Sequence, residues 1–418
     1  MTSPDRARAV PPPRHPARAV AAAAFAFVVT MIGTTLPTPL YGIYQHTIGF
    51  GALMTTVVFA VYAFGVMIAL LLFGDFSDRF GRRTLLLPGL VLSALSAVAF
   101  IAEEGLPLLF VGRLLSGLSA GIFTGTATAA IVELAPEKHR GRAVLIATGA
   151  NMLGLGCGPL LSGVLAQYAP SPLITVFVVD LVLITVATIG VLLLPETVPR
   201  TGRRATLRPR MPQVPAQARP VFVPAAVAGF AGFATLGLFT SVVPSMASQI
   251  LGLHNLAVSG ALVFTVFAGS TAGQVLSRPF DSRAVLPVGC VVLFTGVTAV
   301  AACLVVESAG LLAVGAAVAG TGQGMSFRAG FAVVGTQSPP ERRAEINSAL
   351  FLALYVGISL PVIGIGVLEQ ALGLRSAGLL FSGFVAALCL LCALRLVVRP
   401  LPQETVPAGA AESGSGRH

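Results

Sequence analysis

Apolar stretches of roughly 20 residues alternate with short polar breaks from one end of the chain to the other, and a helix of that length crosses the hydrocarbon of a bilayer. The breaks delimit twelve such stretches. They fall near residues 19–40, 52–73, 84–102, 107–132, 143–167 and 172–194, then near 221–250, 256–276, 285–306, 310–336, 345–368 and 376–397. Residues 195–220, between the sixth and seventh, are basic and Pro-rich with no apolar period, and read as a linker. The pattern predicts an all-α membrane protein of twelve transmembrane helices in two pseudo-symmetric six-helix bundles, 19–194 and 221–398. A disordered arm at 1–18 and a disordered tail at 399–418 complete the expected organisation. No small-residue cleavage site follows a short apolar core near the start, so the first span is expected to be retained.

Composition removes the soluble alternatives. Only 10% of the 418 residues are charged and 55% are hydrophobic, against about 25% charged in a water-soluble domain. The net charge of +10 would suggest nucleic acid in a soluble chain, but here it is a topology signal. With a cytoplasmic N-terminus, every Lys and Arg except Arg113, Arg328 and Arg375 falls at the cytoplasmic side, the bias that orients membrane proteins. Both termini are therefore expected in the cytoplasm, with no nucleic-acid partner. All five cysteines (Cys157, Cys290, Cys303, Cys389, Cys392) lie in apolar segments, which argues against a disulfide framework or metal site. No cluster of His, Cys and carboxylates suggests an enzyme.

The chain also repeats itself. Slid by 203 residues, Gly112, Gly117 and Gly121 meet Gly315, Gly320 and Gly324, while Arg113 meets Ala316. Such a duplication suits a transporter whose halves rock about a central site. The shared framework does not itself require the arginine.

Charge concentrates between the second and third spans in GDFSDRFGRR, Gly74 to Arg83. A positive-inside turn accounts for the arginines but not for its acids and glycines. Here the chain resembles the major facilitator superfamily, whose signature at this place is G-x-L-A-D-R-x-G-R-K/R. Gly74, Asp78, Arg79, Gly81, Arg82 and Arg83 match it, with Phe76 and Ser77 replacing Leu and Ala. The resemblance implies a cytoplasmic latch in which Asp78 and Arg82 pair with Glu133 at the inner end of span four. Asp78 would dock near the start of span eleven, around Glu345 to Ser348.

Arg113, Gly117 and Gly121 recur every fourth residue and share one helix face. Arg113 lies about 10 Å inside the outer boundary by helix rise. Such a residue faces protein or water and is a functional candidate, although outward snorkelling is the alternative. By resemblance to proton-coupled members, this arginine is a coupling residue. Asp180 in span six lies at comparable depth and is its candidate partner; an acid there either pairs with the arginine or exchanges a proton.

Span five reads GANMLGLGCGPLLSG. Its small residues permit close helix packing, and its proline bends the helix where neighbours satisfy the freed carbonyl. The stretch is similar to the G-x-x-x-x-G-P-x-x-G-G motif of drug:proton antiporters, aligned on Gly158 and Pro159 with Gly163 in the last position. Leu153 occupies the first glycine's place, Gly154 comes one residue late, and Ser162 replaces the first of the paired glycines. LPTPL in span one, with Pro37 and Pro39, looks like the twelve-span exporters as well.

In the resembled fold, spans one, four, seven and ten line the cavity, which makes Thr34, Thr35, Thr235, Gln323, Ser326 and Arg328 cavity candidates. Each also fits a helix-packing hydrogen bond. Asn151, Gln274, Asn347 and Tyr355 are further polar residues within spans. No acid occurs in spans one, seven or ten, which favours neutral, lipophilic or anionic cargo over cations. The expectation is a monomeric, proton-coupled exporter of drug-like compounds in a bacterial plasma membrane, working without a cofactor. An uptake symporter for a sugar or organic acid is the same-fold alternative. A non-transporting sensor or scaffold is the alternative of another class.

Overall fold

The computed structural model describes residues 15–73, 81–197, 213–339 and 342–401. Among them the secondary structure is helical throughout. The first half holds α1 (Pro16–Thr35), α2 (Ala52–Phe73), α3 (Arg82–Ile101), α4 (Leu106–Leu134), α5 (Arg140–Tyr168) and α6 (Pro172–Leu192). The second holds α7 (Arg219–Ser241), α8 (Leu256–Leu276), α9 (Ser282–Val306) and α10 (Ala309–Gln337), then Arg343–Val398, which comprises α11 (343–372) and α12 (374–398). Successive helices reverse direction, so the starts of α1 and α7 and the ends of α6 and α12 share one end of the bundle, the terminal face. The opposite end is the far face.

Ten helical stretches qualify as membrane spans by length and composition, against twelve apolar windows in the sequence, and both differences have a physical cause. Glu345–Val398 counts once but is broken at Gly373, whose φ of 80° and ψ of 161° no helix contains. α10 has the length, but its Gly, Thr, Gln, Ser and Arg residues dilute its hydropathy.

The two halves repeat one packing scheme. α2 lies against α4 and α1 against α5; correspondingly, α8 lies against α10 and α7 against α11. The glycines that recur at the 203-residue offset explain the closeness. A Cβ on Gly117 or Gly121 would collide with the α2 backbone at Tyr62 and Val66, and one on Gly320 or Gly324 with the α8 backbone at Val266 and Ser270. Small residues let backbones approach where no hydrophobic driving force separates protein from lipid. Ala316, the counterpart of Arg113, is fully buried.

α1 and α7 also end alike. Beyond Thr35 the chain continues through a 3-10 turn at Thr38–Leu40, a short helix at Tyr41–Tyr44 and a π turn at Gln45–Gly49. Beyond Ser241 it resumes as Val243–Gln249. Pro37, Pro39 and Pro244 lack the N–H that would extend the i→i−4 ladder. Across the seam, α5 runs along α8 and α2 along α11.

Candidate functional site

Arg113 stands two turns into α4 and is fully buried. Its Nε donates to the Tyr41 hydroxyl at 2.6 Å, Nη2 donates to the same oxygen, and Nη1 donates to the Thr34 carbonyl at 2.6 Å. The rings of Tyr41, Phe59 and Tyr62 surround the guanidinium with centroids 5.2, 5.8 and 5.9 Å away, within range of the attraction between a cation and aromatic faces. Local sequence explains the cage. The proline breaks after α1 carry the chain on to Tyr41, and Thr34 lies in the last turn of α1, where carbonyls lack intrahelical partners. The arginine therefore does not snorkel to the far face.

Asp180 of α6 is 2% exposed, and its Oδ1 has no hydrogen-bond partner among the described residues. Of the two alternatives, pairing with Arg113 is not made in this structure: the guanidinium bonds Tyr41 and Thr34 instead. The carboxyl lies against Gly33, where a Cβ would come within 3.0 Å of Oδ2, with the Ser93 hydroxyl of α3 beside it. Carboxyl and guanidinium thus flank consecutive residues of α1 without touching. The next residue, Thr35, donates its hydroxyl to the Leu155 carbonyl of α5 at 2.8 Å. Pro159 four residues on has no N–H for that carbonyl, so Thr35 satisfies the group the proline frees.

A narrow cavity lies at the seam, with about 570 Å³ of empty space when the adjoining open solvent is included. The first half contributes Thr34, Thr35, Phe59, Tyr62, Thr124 and Asn151. The second contributes Phe233, Thr240, Phe267, Phe327, Phe351 and Tyr355. Phe233 meets Phe327 at 5.8 Å and Tyr355 at 5.9 Å between centroids; Phe327, Phe331 and Phe351 continue the chain of rings toward the terminal face. No charged side chain lines the cavity among the described residues.

Of the six cavity candidates, Thr34 and Thr35 are in the wall and four are not. Thr235 donates to the Ala231 carbonyl of its own helix. Gln323 accepts from Ser270 of α8 at 2.6 Å and packs on Gly232 of α7. Ser326 packs on Gly289 of α9. Arg328 donates Nε to Ser277 Oγ at 2.8 Å and Nη2 to the Ser277 carbonyl at 2.6 Å, capping the C-terminal end of α8. The reason is rotational: each span in the resembled fold has one cavity face, and depth along a helix does not reveal which face a residue occupies.

The small residues of α5 make two different contacts. A Cβ on Gly154 or Gly158 would collide with α1, and one on Gly163 with the Leu256 backbone of α8, while Gly260 of α8 approaches the Pro159 carbonyl. At the terminal face, Arg82 Nη2 meets Glu133 Oε1 at 2.7 Å and Arg82 Nε meets Glu133 Oε2 at 3.1 Å. Thr197 also donates to Glu133 at 2.6 Å. Gly81 adopts φ of 98°, and Glu196 accepts the Arg82 backbone N–H at 2.6 Å, occupying the N-terminal end of α3. Arg83 reaches the Leu194 carbonyl at 3.4 Å. Gly74, Asp78 and Arg79, and with them the expected docking of Asp78 on span eleven, lie outside the described residues. Sequence reasoning missed Tyr41, Phe59 and Glu196; the acid in PET after span six was the available signal for Glu196.

The sequence matches the Major Facilitator Superfamily over residues 23–360. It is 26% identical over 138 residues to an uncharacterised MFS-type transporter of Methanocaldococcus jannaschii, covering 33% of this chain and 36% of that one. Identity is 24% over 177 residues with an uncharacterised MFS-type transporter of Bacillus subtilis, 42% of this chain and 43% of that one. With multidrug resistance protein 1 of Bacillus subtilis it is 31% over 108 residues, 26% and 28% of the two chains. The matched stretches thus span less than half the length of these curated relatives. A bacterial homologue of the human lysosomal transporter Spinster, crystallised inward-facing and unoccupied, superposes with a TM-score of 0.69 at 16% identity, covering 92% of this chain and 98% of that one. A POT family transporter in complex with a thioalcohol-conjugated peptide gives 0.74 at 12%, covering 92% and 96%. At these identities the likeness is one of fold. With the family match extending over most of the chain and two six-helix halves meeting at a cavity, the chain belongs to the Major Facilitator Superfamily and is a multi-pass membrane protein.

Proposed function

We propose that this transporter exports neutral, lipophilic, aromatic compounds in exchange for protons, from a bacterial cytoplasm into which its termini and linker project. The observation that carries the reading is the seam cavity, walled by aromatic rings, threonines and one amide with no charged side chain among the described residues. Cationic cargo would find no counter-charge there, and an anion would find Arg113 already engaged by Tyr41 and Thr34. The likeness of one segment to a multidrug resistance protein supports export, as does the glycine-proline bend of α5. The coupling roles fall to Arg113 and Asp180, acting through Gly33 and Thr34 of α1 rather than by contact. The protein works as a monomer in the bilayer, with the proton gradient in place of a cofactor.

Reconstitution into vesicles with an imposed pH gradient tests this. Cargo is expected to accumulate in vesicles with an acidic lumen, to be released by a protonophore, and to lose gradient dependence in Arg113→Ala and Asp180→Asn. Accumulation driven only by an acidic exterior would replace export with uptake. Unchanged flux in both variants would remove the coupling assignment, and selective transport of quaternary ammonium dyes would overturn the neutral cargo.

A further inference from the structure

The position of each proton in the cavity wall narrows the class of cargo; this step rests on reading the seam cavity as the cargo site. A hydroxyl has one proton and two lone pairs. All four threonines of the wall give that proton to a backbone carbonyl: Thr34 to Met31 at 2.7 Å, Thr35 to Leu155 at 2.8 Å, Thr124 to Ala120 at 2.8 Å and Thr240 to Leu236 at 2.9 Å. Each oxygen is left as an acceptor only. The phenol hydroxyls of Tyr62 and Tyr355 interact with each other across the seam, Tyr62 also with Thr34 and Tyr355 with Thr124. The Asn151 amide has no protein partner among the described residues, which makes it the unengaged donor of the site. The wall therefore combines an excess of acceptors, one free amide and the aromatic surface of Phe233, Phe327 and Phe351.

We propose that the cargo is a neutral aromatic or polycyclic compound bearing hydroxyl or N–H donors, a phenolic body being the simplest form. Its ring lies on the α7, α10 and α11 wall, its donors face the threonine oxygens, and one acceptor meets Asn151. A protonated amine also carries donors, but no carboxylate lines the cavity to balance its charge. A purely apolar ring would leave the Asn151 amide desolvated and unpaired, which is unfavourable.

The chain contains no Trp, so Phe351→Trp supplies a single fluorescent reporter that keeps an aromatic surface in the wall. Quenching is titrated in nanodiscs, against empty nanodiscs, with a dihydroxynaphthalene, its dimethyl ether and a naphthyl trimethylammonium ion. The diol is expected to bind about 10-fold more tightly than the ether, from two hydrogen bonds each contributing roughly threefold or more. In the same background, the isosteric Thr124→Val and Thr240→Val are each expected to cut that preference by about threefold. Equal binding of diol and ether, or a preference unaltered in both variants, overturns the donor requirement and leaves the export proposal standing. Quenching by the ammonium ion alone overturns both.

Discussion

Two arginines inside spans show how far a single residue can be read. Depth alone made Arg113 costly in lipid, and the structure pairs it with Tyr41, 72 positions away, and with a helix-end carbonyl. Arg328, also intramembrane by sequence, serves as the cap of α8, a role in which a cation meets the negative end of the helix dipole. Arg328→Ala is therefore expected to destabilise the fold by about 1–2 kcal/mol. The readout is a lower Tm in detergent, with the cargo KM changed by less than about twofold. Arg328→Lys should recover only part of the Tm, because an ammonium cannot reproduce the planar fork that holds Ser277 Oγ and the Ser277 carbonyl. A raised KM at unchanged Tm would instead place Arg328 on the cargo path.

Among the helices, α5 is the one whose glycines divide most sharply by consequence. A Cβ at Gly158 would collide with Thr35 and with the Ile32 carbonyl, whereas one at Gly149 meets nothing within 4 Å. Gly158→Ala is accordingly expected to push α1 away, break the bond from Thr35 to Leu155 and cost about 2 kcal/mol or more, lowering both Tm and flux. Gly149→Ala is expected to be neutral or to raise Tm slightly, since alanine favours the helix by about 1 kcal/mol over glycine. Thermal melts of the two variants side by side check the contrast. Equal effects would show that helix propensity, not the approach of α1, governs these positions. The GP pair was visible in the sequence, and its helix-bending role followed. The partner that accepts the bend was not, because nothing local connects Thr35 to Leu155.

For the whole molecule, the far-face seam is closed where α5 meets α8. Gln167 Oε1 accepts the Leu256 N–H at 2.9 Å, and Gly163 packs on the Leu256 backbone. At the other end of the same helix pair, Arg278 reaches the Gly141 carbonyl at 3.1 Å. If the halves rock about the cavity, this seam must part once in each cycle. A disulfide formed between Gln167→Cys and Leu256→Cys is expected to abolish flux, and a reductant to restore it, with the single-cysteine variants as controls for oxidation elsewhere. Flux that persists in the oxidised pair would mean that cargo passes without opening this seam.

The sequence by itself determined the membrane class, the twelve spans and the two-half duplication, because each is written in local or strictly periodic terms: stretch length, charge bias and fixed offsets. It also located the two ionisable groups at depth, Arg113 and Asp180, since an uninterrupted apolar span makes a charge conspicuous. Only the tertiary structure decided what those groups touch and which polar residues face the cavity. Helix rotation about its axis is set by packing against neighbours far away in the chain. Thr235, Gln323, Ser326 and Arg328 thus turn into helix contacts, while Asn151 and Tyr355, on helices that the resemblance did not single out, turn into the seam.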